Sequence, residues 1–275
     1  MSLPSHPRTV VTGGGSGLGR AFCIELAKRG ARILIADVRR ETAEETVHLA
    51  RDAGAADAVA VTIDVSKPGD IEKLAADADA RFGGTDLLIN NAGVATAGPM
   101  GTIPLADWEW IVGINLWGVV YGCHYFVPRM KEQGSGHIIN IASAAGLLSA
   151  PEMGPYNVTK AGVVALSETL YPELAPFGIG VTAVCPMFFK TGIVANARVQ
   201  SEKERVLGQR LLERSKLDAN DVARNALDAA DRKQLYAVPM ADGRWLWRLK
   251  RTSPESYARV STGLVNKVRK YFERG

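Results

Sequence analysis

The chain has 275 residues, 47% of them hydrophobic, with no low-complexity linker or internal repeat, which suits one large α/β domain rather than two small ones. Its net charge of +4 is uneven: from Gly243 to Gly275 nine basic residues stand against two acidic ones, so the rest of the chain is slightly acidic and is no general nucleic-acid binder. The opening MSLPSHPRTVV lacks a leader pattern, and no uninterrupted apolar run approaches membrane-spanning length, so the expected location is cytoplasmic.

In chain order, the strand RTVVT is followed by a helix from about Leu18 to Arg29. The strand ARILIAD, a helix over RRETAEETVHLARDA and the strand AVAVTID come next. DLLINN, GHIINIAS, GIGVTAVCP and QLYAVPM are further strands, with helical patterns between them. Strands alternating with helices predict a Rossmann-type, doubly wound parallel sheet of about seven strands with helices on both faces. Residues 1–240 would form this domain, and residues 241–275 a basic, aromatic-containing helical extension.

Three short stretches carry chemistry. TGGGSGLG, Thr12 to Gly19, leaves the first strand and opens the first helix, where glycines permit a tight turn and close approach of a pyrophosphate to free amides. Asp37 ends the second strand 18 residues after Gly19, near the spacing for an acid that binds ribose hydroxyls. Tyr156 and Lys160 lie one helical turn apart, and Ser143 follows the strand HIINIA, so a phenol, an ammonium and a hydroxyl share one strand mouth. Cys23, Cys123 and Cys185 are far apart and lack ligand spacing, as do the four histidines; buried free thiols and no metal are expected.

Together these stretches resemble the short-chain dehydrogenase/reductase family, from about Arg8 to Thr191. Thr12, Gly13, Gly17 and Gly19 match its T-G-x-x-x-G-x-G turn, Asp64 and Val65 its adenine-side pair, and Asn90 to Gly93 its N-N-A-G motif. Ser143, Tyr156 and Lys160 match S-x12-Y-x-x-x-K, and Asn115 the fourth catalytic position. The resemblance implies catalysis by Asn115, Ser143, Tyr156 and Lys160. It implies a dinucleotide held by Thr12, Gly13, Ser16, Gly17, Leu18, Gly19, Asp37, Asp64, Val65, Asn91, Ala92, Gly93, Tyr156, Lys160, Pro186 and Thr191. It also implies a homo-oligomer, a dimer or tetramer.

The implied reaction is hydride transfer between NAD and a secondary alcohol or ketone. Tyr156 acts as general acid/base, Lys160 draws the phenol's pKa down, and Ser143 anchors the substrate oxygen. Asp37 would repel a 2′-phosphate, which favours NAD over NADP. Arg39 and Arg40 read as solvated residues at the start of the second helix. Alternatives are an NADPH-dependent 3-oxoacyl-thioester reductase and a silent dinucleotide sensor. Phe188, Phe189, Ile193, Leu147, Leu148 and Met153 could line an apolar substrate pocket or simply pack beneath the loop.

Three departures stand out. Met187 replaces the usual glycine after Pro186, Pro172 should kink or interrupt the helix carrying Tyr156, and a tail of VPMADGRWLWRLKR and basic residues replaces the family's glycine-rich ending. Trp245 and Trp247 beside Lys250 and Arg251 could lie on a membrane surface. Tyr257, Val260, Leu264, Val265, Val268, Tyr271 and Phe272, at near-helical spacing, favour a helix docked on the body or on a neighbouring subunit.

Overall fold

Strand β1 (Arg8–Thr12) is the centre from which the sheet is wound. After it come α1 (Gly17–Ala27), β2 (Arg32–Asp37), α2 (Arg40–Asp52), β3 (Asp57–Thr62), α3 (Pro68–Phe82), β4 (Leu87–Asn90) and the short β5 (Thr96–Ala97). Helix α4 (Leu105–Val112) passes through a π-helical turn, Gly113–Trp117, directly into α5 (Gly118–Gln133). Next are β6 (Gly136–Ile141), α6 (Ala144–Leu148), α7 (Gly154–Leu174), β7 (Ile179–Val184) and β8 (Arg198–Val199). The chain closes with α8 (Glu202–Glu213), α9 (Ala219–Asp231), β9 (Tyr236–Ala237), α10 (Ala241–Thr252) and α11 (Pro254–Glu273). The computed structural model describes residues 3–193, 197–199 and 202–273.

Seven strands form one parallel sheet in the order β3-β2-β1-β4-β6-β7-β9. The strand order reverses between β1 and β4, which opens a crevice at their carboxyl ends, where such sheets bind ligands. Alternate strand residues feed two cores, as the two-residue period of a strand requires. Val10, Leu34, Leu88, Ile138 and Val181 pack against α3, α5 and α7, while Val11, Ile33, Ile35, Ile89 and Ile139 pack against α1, α2 and α9. The doubly wound architecture expected from the sequence is therefore present, in a single domain.

Several details depart from the sequence reading. Pro172 does not interrupt its helix: α7 runs two residues beyond it, to Leu174, and a 3-10 turn then leads to Gly178 at φ 74°. QLYAVPM supplies only the two-residue strand Tyr236–Ala237. The pairing of β5 with β8 has no counterpart in the predicted elements. The continuous helical run Leu105–Gln133, interrupted by Asp107, Glu109 and Arg129, is by length and composition apolar enough to span a membrane; in the fold its inner face, Ile111, Val119, Phe126 and Met130, is buried.

The three cysteines are free and buried. Leu246, Trp247 and Tyr257 of α10 and α11 pack against the core on the α7 side, and the Trp247 ring lies 4.7 Å from that of Tyr236. Trp245 is 59% exposed, so the two indoles point different ways. The side chains of Leu264, Val265, Val268, Tyr271 and Phe272 lie outside the described residues.

His137 on β6 is a buried titrating group outside the strand mouths. Thr182 gives its hydroxyl proton to the Gln234 carbonyl, leaving its oxygen to accept from His137 Nε2 at 2.9 Å. Burial lowers the imidazole pKa from 6.5 to about 4, so the native protein holds it neutral. The unfolded chain binds that proton below pH 6.5 and the native chain only near 4, so this contribution is complete above pH 6.5 and is lost on acidification. We expect stability to fall by roughly 3 kcal/mol from this group between those limits, and His137→Leu to flatten that slope in denaturant titrations run across the range.

Candidate functional site

The glycine turn joins β1 to α1 and is tied to the end of β4. Thr12 Oγ1 accepts the amides of Asn91 and Ala92 at 3.0 and 3.1 Å, and Asn91 Nδ2 returns bonds to the Thr12 and Gly13 carbonyls. Gly13 takes a left-handed φ of 63°, and a side chain there would stand 2.8 Å from Ala92 Cα. Gly17 is left-handed too, at 53°. Gly19 lets α1 start directly against the turn, because a Cβ would fall on the Gly13 carbonyl oxygen. Ser16 makes no side-chain cap, and the first turn of α1 carries no acid, so the helix's first amides are open to an anion. A dinucleotide's pyrophosphate fits this cradle.

Asp37 lies at the carboxyl end of β2, 7% exposed, and is fixed at both oxygens. Gly15 N donates to Oδ2 at 2.9 Å and Arg39 N to Oδ1 at 3.0 Å. The Arg39 side chain is exposed but reaches the Ser16 hydroxyl at 3.4 Å, while Arg40 pairs with Glu44. Asp64 accepts the Ser66 amide and hydroxyl. Val65 and Leu18 have their side chains in the two cores, so their backbones alone face the crevice region. Thr191 comes to the turn from the far side: its Oγ1 is 3.3 Å from where a Gly17 Cβ would be.

Ser143 is the N-cap of α6 and accepts the Ala145 amide at 3.1 Å. Pro186, at the exit of β7, accepts the Ala144 amide at 2.8 Å, which fixes the two strand exits together. Tyr156 and Lys160 lie on the first turns of α7. Lys160 is 3% exposed, and its Nζ donates to the Ile141 carbonyl at 2.7 Å. Burial lowers its pKa to about 8. Asn115 sits wholly buried on the π-helical turn, a deformation that often marks functional positions. Its side-chain amide bonds Val94 at both N and O, and its Nδ2 lies 3.5 Å from Thr159 Oγ1. Gly93 leaves a gap between Asn115 Oδ1 and Lys160 Nζ, at 3.3 and 3.5 Å from the position a Cβ would take.

The structure thus gathers Asn115, Ser143, Tyr156 and Lys160 at the β6 mouth and the glycine turn with Asp37 beside β1. In the cofactor-free chain burial raises the Tyr156 pKa, against a smaller lowering from the Ser143 hydrogen bond, and the Lys160 ammonium is bonded to the Ile141 carbonyl, 5.9 Å from the phenol ring's centre. The proposed apolar pocket is also thinner than its residue set, because Leu147, Leu148 and Phe189 are core residues and only Phe188, Met153 and Ile193 retain accessible surface. The Ile141 carbonyl and Thr159 were missed by sequence reasoning. A backbone acceptor leaves no trace in residue type.

A model of the short chain dehydrogenase family matches residues 8–202. The chain belongs to the short-chain dehydrogenase/reductase family. It is therefore an oxidoreductase of that family. An uncharacterized oxidoreductase of Thermotoga maritima is 34% identical over 199 residues, 72% of this chain and 78% of that protein. The 2-(R)-hydroxypropyl-CoM dehydrogenase of Xanthobacter autotrophicus is 35% identical over 185 residues, 66% of this chain and 74% of the relative. A crystal structure of a short chain dehydrogenase/reductase from Burkholderia phymatum in complex with NAD superposes with a TM-score of 0.84 at 37% identity, covering 90% of this chain and 93% of that one.

The close packing at Gly19 gives a test independent of ligand. Gly19→Ala sets a methyl against the backbone oxygen of Gly13, which cannot swing aside. We expect a loss of about 1–3 kcal/mol in urea unfolding of the cofactor-free protein.

Proposed function

We propose that this chain is an NAD-dependent dehydrogenase/reductase acting on a hydrophobic secondary alcohol or its ketone. The observation that carries the reading is the convergence of the Tyr156 phenol, the Ser143 hydroxyl and the buried Lys160 ammonium at one strand mouth, next to a cradle that fits a dinucleotide. The name of the Xanthobacter relative, a 2-(R)-hydroxypropyl-CoM dehydrogenase, points to a secondary alcohol as well.

The bound nicotinamide would take up or supply the hydride. Ser143, oriented by the Ala145 amide, has its hydroxyl 3.5 Å from the Pro186 carbonyl, a long bond it would give up to donate to the substrate oxygen. Tyr156 takes the alcohol proton in oxidation and returns it in reduction. Burial holds the phenol protonated in the free protein, the form suited to carbonyl reduction. Lys160, its pKa lowered to about 8, can carry charge toward the phenol or release a proton without extreme pH, with Asn115 across the Gly93 gap as the polar neighbour on the inner side.

Asp37 supports NAD. A carboxylate fixed at the ribose end of β2 repels a 2′-phosphate by about 4 kcal/mol per unit charge at ~4 Å and an effective dielectric of ~20. The Arg39 guanidinium beside Ser16 is the observation in favour of NADP, since it could meet that phosphate from the solvent side. Asp37 also weighs against the NADPH-dependent 3-oxoacyl-thioester alternative. The intact Asn115, Ser143, Tyr156 and Lys160 set weighs against a silent sensor.

Turnover of a panel of secondary alcohols and ketones with each cofactor, followed by absorbance of the reduced form, tests the reading; binding of NAD without turnover of any panel member would favour the sensor. Tyr156→Phe should lower kcat by about 10²–10⁴-fold while cofactor affinity stays near wild type, and near-normal turnover would remove Tyr156 from the mechanism. Asp37→Ala should weaken NAD and narrow the ratio of kcat/KM between NAD and NADP. A wild-type preference for NADP would overturn the cofactor assignment.

A further inference from the structure

Helix α6 has five residues, too few to hold itself together, and it starts at Ser143. Its N-terminal end is set by the Ser143 cap and by the Pro186 carbonyl's bond with the Ala144 amide. Its flank is set by Gly146, where an added Cβ would lie 2.5 Å from the Lys160 carbonyl oxygen, so α6 and the start of α7 touch through backbone. Its far end leaves carbonyls without helical partners, and the acceptor end of a helix favours a positive charge.

Those carbonyls are met from the other end of the chain. Lys250 of α10 donates to the Leu147 carbonyl at 2.8 Å and to the Ser149 hydroxyl at 3.3 Å. Tyr257 of α11 donates to the Leu148 carbonyl at 2.6 Å, and the Lys250 ammonium lies 5.7 Å from the centre of the Tyr257 ring. Beyond α6 the backbone is strained. Ser149 and Glu152 adopt left-handed φ values of 58° and 60°, conformations that persist only where the surroundings hold them. Further ties on this loop include Gly98 N to the Glu152 carbonyl at 2.7 Å, Asn157 N to the Met153 carbonyl at 2.8 Å and Asn157 Nδ2 to the Ala150 carbonyl at 2.5 Å. The loop delivers Met153, a residue with accessible surface near the site, immediately before the helix of Tyr156 and Lys160.

We propose that Lys250 and Tyr257 are positioning residues: by capping the carboxyl end of α6 they hold Ser143 and the 149–153 loop in place, and so set the fit of the substrate. This rests on the oxidoreductase reading of the Ser143–Tyr156–Lys160 site. It also gives the Met187 departure a reason. A methionine after Pro186 fills the space beside Gly243 of α10, its Sδ and Cγ both 3.0 Å from where a Cβ would stand, and so packs the strand exit against the same helix that carries Lys250.

The test compares the full-length wild type with Lys250→Met/Tyr257→Phe, which keeps both hydrophobic bodies and removes both donors, and with Lys250→Arg, which keeps a cationic donor. Amide hydrogen exchange in the cofactor-free proteins should rise about tenfold across residues 145–153 in the double variant and stay unchanged in α1. The KM for a secondary alcohol should rise about tenfold with kcat within about threefold and the cofactor KM unchanged, and Lys250→Arg should stay within about threefold of wild type. Should the double variant fail to fold, Tyr257→Phe alone carries the same readouts with a rise of about threefold. Unchanged exchange over 145–153 overturns the proposal. So does faster exchange with unchanged substrate KM, which would mark the contacts as merely stabilising. Absence of turnover in the wild type strikes the alcohol dehydrogenase reading instead, and the exchange measurement then decides by itself whether the clamp exists.

Discussion

Lys160 carries an ammonium into the interior with a backbone carbonyl, that of Ile141, as its bonded partner and no carboxylate in ion-pair contact among the described residues. Such a charge is costly unless its donors are well placed, and its pKa has moved down to about 8 in consequence. The carbonyl can do this at the end of β6, where pairing with β4 has stopped at Asn90–Asn140 although Ile141 still pairs with Val184 of β7. The sheet's parallel register and the placement of α7 across its end therefore fix where the ammonium sits. Tyr156 lies one turn earlier on the same helix, and Asn115, fixed by its own bonds to Val94, lies across the Gly93 gap.

Much of this arrangement was legible in the sequence, for identifiable reasons. Alternating β-branched runs and glycine turns exposed the doubly wound sheet, since strand and helix periods are local properties. The positions of Thr12, Asp37, Ser143, Tyr156 and Lys160 were legible because each is a side chain at the end of a recognisable element. What escaped belongs to the backbone or to distant packing. The π-helical turn around Asn115 arises where α4 runs into α5, and GINLW carries no residue that demands it. The upward shift of the Tyr156 pKa depends on burial by the whole fold. Pro172 misled because a proline near the last turn of a helix sacrifices a bond in a stretch that is about to end.

The two cores show why the site is rigid on one side and adjustable on the other. The glycine turn is packed so closely against β4 and its own helix that side chains at Gly13 and Gly19 are excluded by backbone. Around Ser143 the short helix α6 anchors Ala144, Leu147 and Leu148 in the core, while the 149–153 loop is strained and Phe188 and Met153 keep accessible surface.

The sheet order also bears on how the protein assembles. Strands β1 and β2 with α1 between them bring the glycine turn and Asp37 together within about thirty residues of chain, the turn's ties to Asn91 and Ala92 span about eighty, and α6 touches Lys250 and Tyr257 across roughly a hundred. Closing short loops is fast and closing long ones slow, and parallel pairings with helical crossovers lie at the slow end. The contact of the glycine turn with Asp37 is therefore the most local of the three, and the ties of α6 to Lys250 and Tyr257 the most distant. A cofactor bound at the glycine turn would favour the folded chain by mass action, distant ties included, so that ligand occupancy and fold stability are linked.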